Sequence, residues 1–265
     1  MRRPSVRMLA PCFLVVAVAL LALPASAAPS GHLEGYIPQA AHLSGRFNSF
    51  WTTDVWIYTE SATRVHLWFN HEGRDNTDVQ SVVLPLTGPV TFLPDILQNA
   101  FAVSATKGSI HYLADGQVEV VSRTWTPGKD GGSYGQVIYG IPVSMAAVPG
   151  AGPSGSLRMV VNETDGFRVN LGLANVTSSP VTVTVEVFTS DGQPAPGTSS
   201  LTMTLQAYDM QQKDDILAGL PAGQRQGLIV RASVSAGDGA IMSYLSVVDN
   251  TTNAANYQEA FRFAF

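Results

Sequence analysis

Short runs in which β-branched and aromatic residues alternate with polar ones dominate the chain, separated by clusters of Gly, Pro, Asn and Asp. Residues 180–188 show it most clearly. Val181, Val183, Val185 and Val187 fall on one face and Thr182, Thr184 and Glu186 on the other, the signature of a half-buried strand. The same pattern predicts strands at 54–58, 64–69, 79–84, 109–113, 117–125, 136–141, 167–174, 200–205, 228–234 and 241–248. Helical periodicity over ten or more residues is absent.

The pattern also repeats. Residues 51–58 (WTTDVWIY) followed by 64–69 (RVHLWF) align with 167–174 (FRVNLGLA) followed by 180–185 (PVTVTV) at an offset of 116. The tripeptide DIL at 95–97 recurs at 215–217, and each Asp reads as the N-cap of a short helical turn. A third match sets 121–125 (VSRTW) beside 242–246 (MSYLS). Copy one is then expected at 36–145 and copy two at 157–265. A tail at 28–35 precedes them, and a Pro/Gly/Ala-rich linker at 146–156 lies between. Each copy, with some seven short strands, has the size of an immunoglobulin-like β-sandwich, although the Cys…Trp…Cys core of antibody domains is missing. The predicted fold is all-β, two such sandwiches in tandem.

Several segments resemble a repeated β-sandwich module of exported proteins from Acidobacteria and neighbouring phyla. They are 35–38 (GYIP) with 50–56 (FWTTDVW), 122–128 (SRTWTPG) with 132–136 (GSYGQ), 170–175 (NLGLAN) and 246–253 (SVVDNTTN). The resemblance covers nearly the whole chain after the leader. It implies the fold and export, and brings no catalytic residue with it.

Composition changes the picture mainly at the N-terminus. Arg2, Arg3 and Arg7 precede an apolar stretch from Met8 to Leu23, and Ala25, Ser26 and Ala27 supply a signal-peptidase site. A cleavable secretory signal over 1–27 is expected, too short for a spanning helix. Cleavage removes the only cysteine, Cys12, and three of the 15 basic residues, leaving 12 against 20 acidic ones and a formal charge of −8. Such a chain lacks the clustered Lys and Arg that bind nucleic acid or an anionic membrane. The expected location is secreted or cell-surface.

The motifs of chemistry are weak. Ser133 lies in a Gly-x-Ser-x-Gly pattern, but all five histidines (His32, His42, His66, His71 and His111) precede it, whereas a hydrolase of that type places its His after the Ser. The pattern reads as a turn. Oxygen-rich loops at 75–78 and 249–253 suit Ca²⁺ in residue type but lack EF-hand spacing, and read as Asx turns. His66 and His71 do not have zinc-site spacing. The sequons at Asn162, Asn175 and Asn250 are expected to be incidental in the bacterial protein that the resemblance implies. No cofactor, metal site or catalytic residue is predicted, and the expected class is a non-enzymatic interaction protein.

One difference between the copies stands out. With Val55, Ile57, Val65 and Leu67 turned inward, alternation sends Trp56, Tyr58, His66 and Trp68 outward, where copy two has Gly172, Ala174, Thr182 and Thr184. A hairpin through 59–63 sets Trp56 opposite Trp68 and Tyr58 opposite His66, an aromatic platform for a protein or a surface polysaccharide. The competing expectation is that copy two, or the segment 33–50, covers this face. The final residues Phe261, Phe263 and Phe265 alternate like the last strand of an outer-membrane β-barrel, an alternative the duplication opposes. Left unpaired, that strand could instead mediate self-association.

Overall fold

The computed structural model describes residues 32–128, 131–150 and 155–262. The expected signal peptide, Cys12 and the final Phe263 and Phe265 lie outside them. The fold is all-β and forms two sandwiches in series.

The first comprises β1 (His32–Ser44), β2 (Phe50–Thr59), β3 (Arg64–His71), β4 (Val82–Pro85), β5 (Val90–Leu93), a helical turn α1 (Ile96–Asn99), β6 (Thr106–Pro127), β7 (Ser133–Tyr139) and β8 (Ile141–Pro142). These eight strands form one antiparallel sheet, folded over because the 22-residue β6 belongs to both layers. The first part of β6, up to Ala114, pairs with β1 and β3, and the part from Val118 onward pairs with β2 and β7. The two predicted strands at 109–113 and 117–125 are thus one. Its corner is held from outside. The Asp115 carboxylate accepts from the Thr63 N–H at 2.8 Å and hydroxyl at 2.6 Å and from the Arg64 N–H at 3.1 Å, bonds that lower its pKa to about 2. Gly116 is required there, since a Cβ would lie 2.8 Å from the Ala62 backbone nitrogen.

The second sandwich comprises β9 (Ser156–Val161), β10 (Phe167–Asn175), β11 (Val181–Phe188), β12 (Leu201–Leu205), β13 (Met210–Lys213), β14 (Leu228–Gly237), β15 (Ile241–Asp249) and β16 (Ala255–Glu259). One sheet runs β12-β11-β14-β9 and the other β13-β10-β15-β16. The first sandwich pairs its strands in the same order: β4-β3-β6-β1 in one layer, β5-β2-β6-β7 in the other. The equivalence reaches single hydrogen bonds. The Asp95 N–H donates to the Asp54 carboxylate at 2.9 Å, and the Asp215 N–H to the Asn170 amide oxygen at 3.1 Å.

Several expectations need correction. Asp95 stands at an N-cap position but makes no side-chain cap bond, its carboxylate being 2.8 Å from His42 Nδ1, and residues 216–218 form a turn rather than a helix. Val121 lies opposite Trp56 and Tyr244 opposite Gly172, so Val121 corresponds to Tyr244, two residues beyond the expected Met242. A two-residue slip preserves the strand face and is invisible to alternation. The tail expected at 28–35 is, from His32, already part of β1. The outer strands β4, β5 and β12 each pair on one side only, so the barrel alternative does not describe this fold among the described residues. Of the final residues, β16 pairs with β15 and Phe261 is bridged to Arg158 within the same sandwich, while 263–265 lie outside the described residues.

Each sandwich encloses its own core. Val55, Ile57, Val65, Leu67, Ile110 and Tyr112 fill the first, and Leu171, Leu173, Val183, Val185, Val230 and Leu245 the second. A third apolar cluster joins them: Tyr36, Ile141 and Ala146 meet Val176, Ala240 and Met242. Around it the buried Asp209 carboxylate accepts from the N–H groups of Gly73 at 2.7 Å and Arg74 at 3.2 Å, and Asn76 donates to the Tyr208 carbonyl at 3.1 Å. The loop at 75–78 therefore serves packing: Asn76 is buried, and Asp75 closes an Asx turn on Thr77.

Candidate functional site: an apolar sheet face

The four residues expected to form one platform are split between two surfaces. Val55, Ile57, Val65 and Leu67 do point into the core, so the outward assignment of Trp56, Tyr58, His66 and Trp68 holds. The hairpin does not. The segment after β2 crosses to the other layer, turned by the Thr59 hydroxyl, which accepts from the N–H groups of Ser61 and Ala62. Trp56 and Tyr58 consequently lie on the outside of one layer and His66 and Trp68 on the outside of the other.

His66 and Trp68 belong to a row of stacked rings. His66 and Trp68 lie 5.9 Å apart, Trp68 and His111 4.7 Å, and His111 and Tyr36 4.5 Å between centroids. At one end of the row the buried Tyr36 hydroxyl donates to the Val176 carbonyl of the second sandwich at 3.3 Å. His111 Nε2 is 2.8 Å from Glu34. Burial nevertheless lowers the pKa of His111, and Glu34 only partly opposes the shift. The Tyr36 end of the row is packed at the junction between the sandwiches, whereas His66 and Trp68 are half-buried.

Trp56 and Tyr58 sit in a different setting. Across the outer face of β5-β2-β6-β7, Phe92, Trp56, Val121 and Tyr139 form one rung, with Trp56 stacked on Phe92 at 4.8 Å. Tyr58 pairs with Val90 in the next rung, and Val137 lies opposite Arg123 on the other side. Tyr139 is 58% exposed, Phe92 50%, Val137 49%, Val90 48% and Tyr58 42%, so large apolar side chains from three strands, β5, β2 and β7, face outward together, with Val121 of β6 half-buried between them. Polar groups border them on one side: Asp54 accepts from the Trp125 indole at 2.8 Å, and the Arg123 guanidinium lies 5.5 Å from the Trp125 ring centroid.

The sequence reading missed Phe92, Val90, Val121, Tyr139 and Val137. Outward alternation of Val137 and Tyr139 was legible within the strand predicted at 136–141. The four-residue β5 was too short to register, and only sheet order brings it beside β2.

The corresponding face of the second sandwich is covered. Gln212, Gly172, Tyr244 and Glu259 occupy the places of Phe92, Trp56, Val121 and Tyr139, and Met210 that of Val90. This face packs on the first sandwich. Met210, Tyr244 and Met242 are buried, Ser246 donates to the Gln136 side chain at 3.2 Å, and the Gln212 N–H donates to Glu72 at 3.1 Å. Gly172 is obligatory, since a Cβ would fall 1.9 Å from the Tyr244 ring.

The other motifs are occupied locally. Ser133 opens β7 and its hydroxyl accepts from Arg123 at 2.6 Å. Asp249 closes a turn on Thr251 and Thr252. Among the described residues no cluster of three or more His, Cys, Asp or Glu side chains has a metal-binding arrangement, and no helix is long and apolar enough to cross a membrane.

No protein-family model and no curated protein matches the chain. Among solved structures, a calcium-binding mutant (D341A D367A) of Bacteroides uniformis beta-glucuronidase 2 is similar at a TM-score of 0.17 and 8% identity, over 86% of this chain and 28% of that one.

Proposed function

We propose that this chain is an exported, non-enzymatic protein of two duplicated sandwiches that binds another protein at the cell surface or outside the cell, using the outer face of β5-β2-β6-β7. The supporting observation is the uncovered rung Phe92, Trp56, Val121 and Tyr139, flanked by Tyr58, Val90 and Val137. Aromatic and β-branched side chains gathered on one face are characteristic of contact surfaces. The equivalent face of the second sandwich already serves as a docking surface within the chain, which favours a folded protein as partner. Removal of residues 1–27 and the resemblance to exported modules belong to the same proposal.

The same rings bear on the alternative, a carbohydrate-binding module. Trp56 and Phe92 stack on each other with 26° between their planes, so each has one ring face occupied, whereas a sugar stacks on an exposed ring face. Protein contact is therefore the better use of this surface. The test is a pull-down with residues 28–265 from cell-surface fractions, run beside a glycan array. A partner captured by the unaltered protein and lost with Tyr58→Ser/Tyr139→Ser supports the reading. Glycan binding lost with the same pair replaces it with the carbohydrate alternative.

A further inference from the structure

Between the sandwiches lies a cleft of about 220 Å³, lined in part by Thr124 and Gln136 on the opposite side of β6 and β7 from the apolar face. We propose that it binds a small monocarboxylate on a hydroxylated body of about monosaccharide size, with Arg168 as the carboxylate anchor.

Charge comes first. Arg46, Lys107, Arg168 and Asp214 line the cleft. Arg46 is 3.6 Å from Asp214, and Lys107 is 3.1 Å from Glu72, so these two cations have carboxylate partners. Arg168 is only 8% exposed, and among the described residues no carboxylate lies within ion-pair distance of it. Its guanidinium donates to the amide oxygens of Asn250 at 2.9 Å and Asn253 at 3.1 Å, leaving three of its five N–H donors. Asp214, Asp215 and Asp249 act on it from beyond ion-pair distance and only partly offset its burial and the nearby Arg46 charge, so an anion in the cleft would complete it.

Hydrogen bonding points the same way. The Gln136 amide donates to the Gln39 oxygen, and the Gln136 oxygen accepts from Ser246. The Asn170 oxygen accepts from the Asp215 N–H, and the Gln212 oxygen from the Tyr244 hydroxyl at 3.2 Å. Each of these amide oxygens already accepts one hydrogen bond. The amide N–H groups of Gln39 and Asn170 and the indole N–H of Trp51 have no acceptor among the described residues. These three N–H groups are free to donate to the acceptors of a ligand. Asp214 limits its charge, because a dianion would meet that carboxylate while a single negative charge is matched by Arg168.

Calorimetric titration of residues 28–265 with galacturonate, galactose and inorganic phosphate tests the assignment. Galacturonate is expected to bind, galactose and phosphate at least tenfold more weakly, and Arg168→Met to lower galacturonate affinity tenfold or more. If Arg168→Met does not fold, Arg46→Ser, an exposed position, is expected to weaken binding several-fold. Equal binding of galactose overturns the carboxylate anchor, tighter binding of phosphate overturns the monoanion selection, and no binding of any of the three overturns the site.

Discussion

Position 172 shows how one residue decides the fate of a sheet face. Gly172 lets the Tyr244 ring lie flat across β10 and lets the sheet dock, whereas Trp56 at the equivalent place keeps the first sandwich's face open. Gly172→Ala forces a methyl into a fully buried ring, and overpacking of this kind costs about 1–3 kcal/mol; chemical denaturation should show that loss. Histidines set the pH response. Burial lowers the pKa of His32, His71 and His111 below the ordinary 6.5. A depressed pKa means that the unfolded chain takes up protons first, so the stability present above pH 6.5 is lost as pH falls through the depressed values. The melting temperature should therefore drop between pH 7 and about pH 5, and His111→Gln should flatten that slope. Glu163, Asp209 and Glu259, whose burial raises their pKa values, act in the opposite sense.

Strands were largely legible because a half-buried strand writes its period into the chain, as Val181 to Val187 do. Their partners were not. Nothing in residues 59–63 distinguishes a hairpin from a crossing between layers; the distinction comes from Asp115 and Gly116, some fifty residues away, which pin this segment at the corner of β6. The placement of Trp56 and Tyr58 outward was therefore readable, and their separation from His66 and Trp68 was not. Short strands such as β5 and β13 carry too few residues for a period to emerge. The split has a testable consequence. Trp68→Ala removes the centre of a stacked row and should lower stability by about 2–4 kcal/mol without changing partner capture. Tyr58→Ser/Tyr139→Ser, at exposed positions, should do the reverse, with each substitution changing stability by no more than about 0.5 kcal/mol. Thermal melts and pull-downs on the same samples separate the two.

At the scale of the molecule, the two sandwiches are joined by more than the residues between them. Ala146 is buried in the junction cluster, Ala147 is bridged to Ile241, and Asp209 is engaged by both Gly73 and Arg74. The linker composition of 146–156 predicted a tether, and composition does not reveal that a tether's first residues are core. Asp209→Ala removes the bonds that Gly73 and Arg74 make across the junction, each worth about 1.5–3 kcal/mol when the acceptor is charged, and should resolve calorimetric unfolding into two transitions where the unaltered protein shows one. The folded-over sheet has a mechanical meaning as well. Because β6 runs through both layers of the first sandwich, those layers cannot slide apart without tearing ladders on both sides of one strand, whereas in the second sandwich β14 and β15 are joined through residues 238–240 alone. A chain pulled from its ends at a surface should yield first in the second sandwich, leaving the open apolar face intact under load.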